Sequence, residues 1–183
     1  MKFGLLVAAA LAAATPALAQ QPRQQAWQDA VVDRLQTYGH RNWIVIADSA
    51  YPAQTSPGIE TIVTGADHLD VIDNVFEALS KMKHVQPAVL LDAELPFLDE
   101  KDAAGITAYR AKLKTGLAKR EVQSLPHEQI IGLLDKAGEK FHVLILKTNM
   151  TLPYTSVFLQ LDCGYWSADA EKRLREKMAA EKK

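Results

Sequence analysis

A chain of 183 residues, 48% hydrophobic and 23% charged, has the proportions of an ordinary globular protein. It is long enough for one core and too short for two comfortable ones. A net charge of −1 provides no electrostatic footprint for nucleic acid, and the single cysteine, Cys163, excludes an intrachain disulfide.

The first nineteen residues read as a secretory signal. Lys2 supplies a positive charge, Phe3–Ala14 is apolar, and Ala17-Leu18-Ala19 places small residues before Gln20. The run breaks at Thr15-Pro16 and is shorter than the roughly 20 residues a membrane anchor needs. Cleavage near Ala19 is therefore expected, with a secreted, periplasmic product and no membrane association afterwards. It removes one lysine and leaves a net charge of −2 on residues 20–183.

Along that mature chain, Gln20–Gln25 reads as a flexible leader. Ala26, Ala30, Val31 and Leu35 recur near helical spacing, and Gly39 follows as a stop. Trp43–Ala47 reads as a short buried strand that ends in Asp48, and a loop rich in Pro, Ser and Thr runs from Tyr51 to Gly58. Ile59–Val63 is a short strand. Asp67 caps a helix whose apolar face is Leu69, Ile72, Val75, Phe76 and Leu79. Ala88–Leu91 is a buried strand, Asp92–Asp99 a polar loop, and Asp102–Ala118 a surface helix. Glu121–Leu125 reads as a brief strand, and Pro126-His127-Glu128 opens a helix that stops near Gly138. His142–Leu146 and Ser156–Leu161 are strands on either side of a loop at Thr148–Thr155. Cys163, at the end of the last strand, reads as a partly buried structural thiol. Ser167 caps a peripheral helix to about Ala180, within a tail spanning about residues 167–183. Strands and helices that alternate in this way predict an α/β fold: a single three-layer α/β/α domain with a partly parallel central sheet.

Several chemistries have no signature. The nine glycines form no phosphate-binding spacing, the five histidines include no i, i+4 pair, and no Gly-x-Ser-x-Gly elbow is present. What remains is a set of polar residues at element ends: His40, Asp48, Asp67-His68, His127 and Tyr154. In open α/β sheets ligands bind beyond the carboxyl ends of strands, which is where Asp48 falls; capping the next turn is its competing role. His68 beside Asp67 reads as part of a helix cap, His84 as a solvated helix-end cation, and His142 as a packed histidine.

The Gly39-His40 turn, the apolar strand and Asp48 resemble the signature of the D-ribose pyranase and L-fucose mutarotase family of sugar-ring isomerases. The resemblance continues through Gly65–Leu79, Pro126-His127-Glu128-Gln129 and Pro153-Tyr154, and spans about residues 26–165. It implies a cofactor-free acid–base isomerase acting on a monosaccharide, a pentose or deoxyhexose. His40 would be the proton donor and Asp48 and His127 sugar contacts. Tyr154 would be the Tyr of a Tyr-x-Asn element, with Ser156 in the Asn position. Ser keeps a hydroxyl but loses the amide's reach. A non-catalytic sugar-binding member of the same fold is the alternative. Trp43–Ala47 alone separates His40 from Asp48 by on the order of 15 Å. A homo-oligomer with sites completed at subunit interfaces is therefore expected.

Overall fold

The computed structural model describes residues 21–181; the expected signal over residues 1–19 lies outside the described residues. Among the described residues no helix is long and apolar enough to cross a membrane. Five helices, α1 (Gln21–Thr37), α2 (His68–Ser80), α3 (Ile106–Gly116), α4 (His127–Gly138) and α5 (Ala168–Ala180), accompany six strands. The strands are β1 (Trp43–Ala47), β2 (Ile59–Val63), β3 (Val85–Asp92), β4 (Val122–Leu125), β5 (Val143–Lys147) and β6 (Val157–Cys163).

They form one sheet in the order β2-β5-β1-β6-β3-β4. The pairs β2·β5, β5·β1 and β3·β4 are parallel, whereas β6 runs antiparallel to both neighbours, β1 and β3. Every strand but β6 thus points the same way. The carboxyl ends of five strands and the first residue of β6 share one edge of the sheet.

Strand alternation distributes β1 between two cores. Ile44 and Ile46 pack with Leu35 of α1, Val75 of α2 and Ile106 of α3, while Trp43, Val45 and Ala47 pack with Ile130 and Leu134 of α4. Three helices therefore cover one face and α4 the other, giving the expected three-layer α/β/α arrangement around a partly parallel sheet. α5 buries no side chain and is peripheral.

Most strand ends fall within one or two residues of the sequence reading, and the larger departures are local. α1 already begins at Gln21, where a leader was expected, because Gln and Arg propagate a helix beyond its apolar stripe. β3 starts at Val85 and includes Pro87. That residue precedes Val89, where pairing with β4 begins, so its missing N–H costs no bond on that side. The polar loop after β3 contains a 3-10 turn at Leu95–Phe97. α3 starts at Ile106 instead of Asp102, because Gly105 adopts φ 94° and the Glu100 carboxylate accepts from the N–H groups of Gly105 and Thr107.

Three histidines also take places other than those expected. Asp67 is the cap of α2, accepting from Leu69 N at 2.9 Å, but His68 beside it is fully buried. Its Nε2 lies 3.0 Å from Thr155 O and its Nδ1 2.8 Å from Thr148 Oγ1. His84 is half-buried, with Nε2 at 3.0 Å from Leu35 O and 3.1 Å from Tyr38 O, closing the end of α1. His142 is exposed and stacks on Tyr38 with ring centroids 5.7 Å apart. Cys163 is half-buried, as expected.

The loop before β2 passes close to the end of α4: a side chain at Gly58 would fall on the carbonyl oxygens of Gly138 and Phe141. Gly58→Ala is expected to destabilise the protein by about 1–3 kcal/mol in chemical denaturation. Burial pushes the His68 imidazole down to about 4. Between pH 6.5 and 4 the unfolded chain then binds more protons at this site than the folded one, so stability falls as the pH falls through that window. The loss amounts to about 3 kcal/mol. In His68→Gln that part of the slope should disappear, which denaturation midpoints recorded against pH would read directly.

Candidate functional site

Five of the six strands end on the edge where β6 begins, so the loops that follow them converge there. Asp48 follows β1. Its Oδ1 accepts from Ala50 N at 2.8 Å, so the carboxylate does cap a turn, while its Oδ2 lies 3.5 Å from Ser156 Oγ. Continuing the register one step past Ile46↔Val157 and Leu91↔Val157 sets Ser156 between Ala47 and Asp92.

His127 is the first residue of α4. Its N–H points at the Glu94 carboxylate, 3.1 Å from each oxygen, so an acidic side chain from the loop after β3 caps this helix. The His127 ring meets Tyr154 edge to face, with centroids 5.5 Å apart and planes at 88°. Its Nδ1 lies 3.0 Å from Oδ1 of Asp92, a carboxylate with no exposed side-chain surface. Asp92 Oδ2 is buried and has no hydrogen-bond partner among the described residues. Burial raises the Asp92 carboxyl above its usual range, and Glu94 and Asp48 raise it further. The hydrogen bond and charge of His127 work the other way.

Tyr154 is 38% exposed and holds φ 54°, a left-handed conformation that is strained for a tyrosine. The backbone beside it is clamped from the opposite layer. Thr155 O receives the Tyr109 hydroxyl at 2.8 Å and faces His68 Nε2 at 3.0 Å, and Thr148 Oγ1 lies 2.9 Å from Ala47 O. Lys147 Nζ donates to Tyr51 O at 2.6 Å and holds the loop after β1. The Tyr51 hydroxyl is buried without a partner and is pushed up to about 12, by burial first and then by Asp135, Asp92 and Asp48.

These residues surround an open cavity of about 630 Å³ lined by Asp48, Tyr51, Gln54, His127, Leu152 and Tyr154, among others. That volume suits a small polar ligand. Three of the residues singled out from the sequence, Asp48, His127 and Tyr154, share this wall. Ser156 does not line it: at 2% exposure it sits beneath Asp48. His40 lies beyond the amino end of β1, exposed, about 15 Å from Asp48 along the strand, so one chain does not bring it to this cavity. Asp92 and Glu94 fall in the stretch that the sequence alone presents as a polar loop. The signal for Asp92 was the one that marked Asp48, a carboxylate directly after a buried run.

No curated protein matches the sequence. Among solved structures, the chain is similar to RbsD of Bacillus subtilis, complexed with D-ribose. The identity is 22% over 73% of this chain and 91% of that one, with a TM-score of 0.50. It also matches the fucose mutarotase of Streptococcus pneumoniae, complexed with L-fucose, at 17% identity over 72% and 89% of the two chains, with a TM-score of 0.48. FucU of Bifidobacterium longum matches at 14% identity, 73% and 92% coverage and a TM-score of 0.49. The model of the RbsD / FucU transport protein family matches residues 23–163, through the whole six-stranded sheet, and the chain belongs to that family.

Proposed function

We propose that this protein interconverts cyclic forms of a monosaccharide, a pentose or deoxyhexose, by acid–base catalysis. The observation that carries this reading is the convergence of Asp48, His127 and Tyr154 on one cavity at the carboxyl edge of the sheet. Family membership and the sugars held by the two related structures support it.

Opening a cyclic hemiacetal needs a proton delivered to the ring oxygen and one removed from the anomeric hydroxyl. Both are tasks for imidazole near neutral pH, and neither requires a metal, nucleotide or redox partner. The Asp48 carboxylate accepts sugar hydroxyls, while Tyr154 offers a ring face and a phenol. His40 serves as the proton donor from a second copy of the chain, since β1 holds it away from its own cavity. Export by the leader over residues 1–19 belongs to the same reading, and a mature amino terminus at Gln20 in intact-mass analysis tests it.

A second reading, a sugar-binding member without catalysis, is favoured by the buried position of Ser156, which leaves the Asn position of the Tyr-x-Asn element without a group on the cavity wall. Exchange NMR on D-ribose and L-fucose separates the two. Acceleration that drops about 100-fold or more in His40→Ala supports the enzyme, whereas line broadening without acceleration supports binding alone. The trans arrangement has its own check. Mixing inactive His40→Ala and Asp48→Ala subunits should restore up to about one quarter of native activity, because some interfaces then carry both native residues. No recovery on mixing, or full activity in a monodisperse monomer, would sink it.

A further inference from the structure

His127 is a half-exposed imidazole on the cavity wall whose inner nitrogen faces one of the most thoroughly buried carboxylates in the fold. The other inner contacts of the cavity belong to loops, but Asp92 is the last residue of β3, held on one side by β4 through Asp92↔Leu125 and continuing the register with β6 on the other. Its Oδ1 has His127 Nδ1 at 3.0 Å, and its Oδ2 has no partner at all. The Asp92 side chain thus has a single hydrogen-bond partner among the described residues. A carboxylate of that kind is costly to bury, and the imidazole is the one group that offsets the cost.

The ring has little freedom to answer differently. Its backbone N–H is engaged by Glu94, its ring is in T-shaped contact with Tyr154, and Nδ1 is turned inward, which leaves Nε2 as the nitrogen available to the cavity. The charged and titratable groups around it are Asp92 from β3, Glu94 from the loop after β3, Asp48 and Tyr51 after β1, Glu128 beside it on α4, and Tyr154. Among the described residues no lysine or arginine lines this cavity, and His127 is the one imidazole that does.

From this geometry we infer that Asp92 is a positioning residue: it holds the His127 proton on Nδ1 and presents a bare Nε2 to the cavity as the proton acceptor of the reaction. The chemistry rests on the isomerase reading above and deepens it, because it adds an acid–base group contributed within the chain to the His40 donor from a second copy. In the opening step the anomeric O–H gives its proton to Nε2, and its bonding pair forms the C1=O bond. The bond from C1 to the ring oxygen breaks with its pair on that oxygen, which takes the proton from His40. His127 is then an imidazolium whose Nδ1–H remains on Asp92. In ring closure the hydroxyl oxygen bonds the other face of C1 and returns its proton to His40. The C1=O π pair moves onto the anomeric oxygen, which takes the proton from His127 Nε2, and both histidines are reset. Asp92 touches no substrate and exchanges no proton.

The test reads the tautomer itself. Nitrogen-15 and carbon-13 NMR of histidine-labelled protein at about pH 8, above the ordinary histidine range, distinguishes Nδ1–H from Nε2–H, and His127→Gln assigns the resonances by their loss. The native protein is expected to carry Nδ1–H at His127. In Asp92→Leu, which leaves an apolar side chain against β4 and β6, the proton should move to Nε2, and sugar exchange should slow by about tenfold or more. Nε2–H in the native protein would overturn the inference without any variant, should Asp92→Leu fail to fold. An unchanged Nδ1–H in a folded Asp92→Leu would overturn it equally. A tautomer that switches as expected, in a protein whose native form accelerates no sugar, supports the positioning role and removes the isomerase reading instead.

Discussion

An antiparallel strand inserted between two parallel ones is the constraint on which this molecule depends. β6 enters the sheet between β1 and β3, so its first residue arrives where both neighbours finish. Backbone pairing fixes that meeting to within a residue, since a slip of one position would turn the buried Val157, Leu159 and Leu161 to the opposite face. Ser156, Ala47 and Asp92 are neighbours for this reason, and Asp48 and Tyr154, one or two residues further out, inherit the same placement.

The second layer of control comes from the other side of the sheet. The loop over residues 148–155 presents Tyr154 to the cavity beside α4, yet its backbone is held by His68 from α2 and Tyr109 from α3, both in the opposite layer. Burial keeps His68 neutral at ordinary pH and raises the Tyr109 phenol, so neither donor titrates near neutral pH. Neutral, buried donors on a single carbonyl make a stiff support, and the left-handed φ of Tyr154 is the kind of local strain that such a support can hold. The polar groups facing the cavity stand on this fixed frame and remain free to engage a ligand.

The two layers differ in what they ask of the sequence. α1, α2 and α3 share a broad face of the sheet and carry most of the buried apolar residues, whereas α4 alone covers the face near the cavity. That thinner cover leaves room beside the amino end of α4, where the capping carboxylate of Glu94 and the dyad of Asp92 and His127 lie. The same thinness leaves one sheet edge exposed, with Val63 of β2 at 75% accessibility.

Most of the architecture was legible in the sequence. Trp43–Ala47, His142–Leu146 and Ser156–Leu161 are apolar runs too short for helices and bounded by turn residues. Asp67 and Ser167 announce helix starts through a side-chain oxygen that reaches only three residues ahead. Those are local interactions, so local sequence determines them. The approach of Asp48 to His127 and Tyr154 was legible only through likeness to a family, and Asp92 was missed because its partner lies 35 residues away. Whether a carboxylate after a strand caps a turn, as Asp48 also does, or orients an imidazole, as Asp92 does, depends on which strands lie side by side. The distance from His40 to the cavity likewise follows from β1 running straight through the sheet. Sequence by itself determined the elements, their order and the residue types available for chemistry. Only the tertiary structure decided which of those residues meet, because strand order and the reversed direction of β6 are set by packing between segments far apart in the chain.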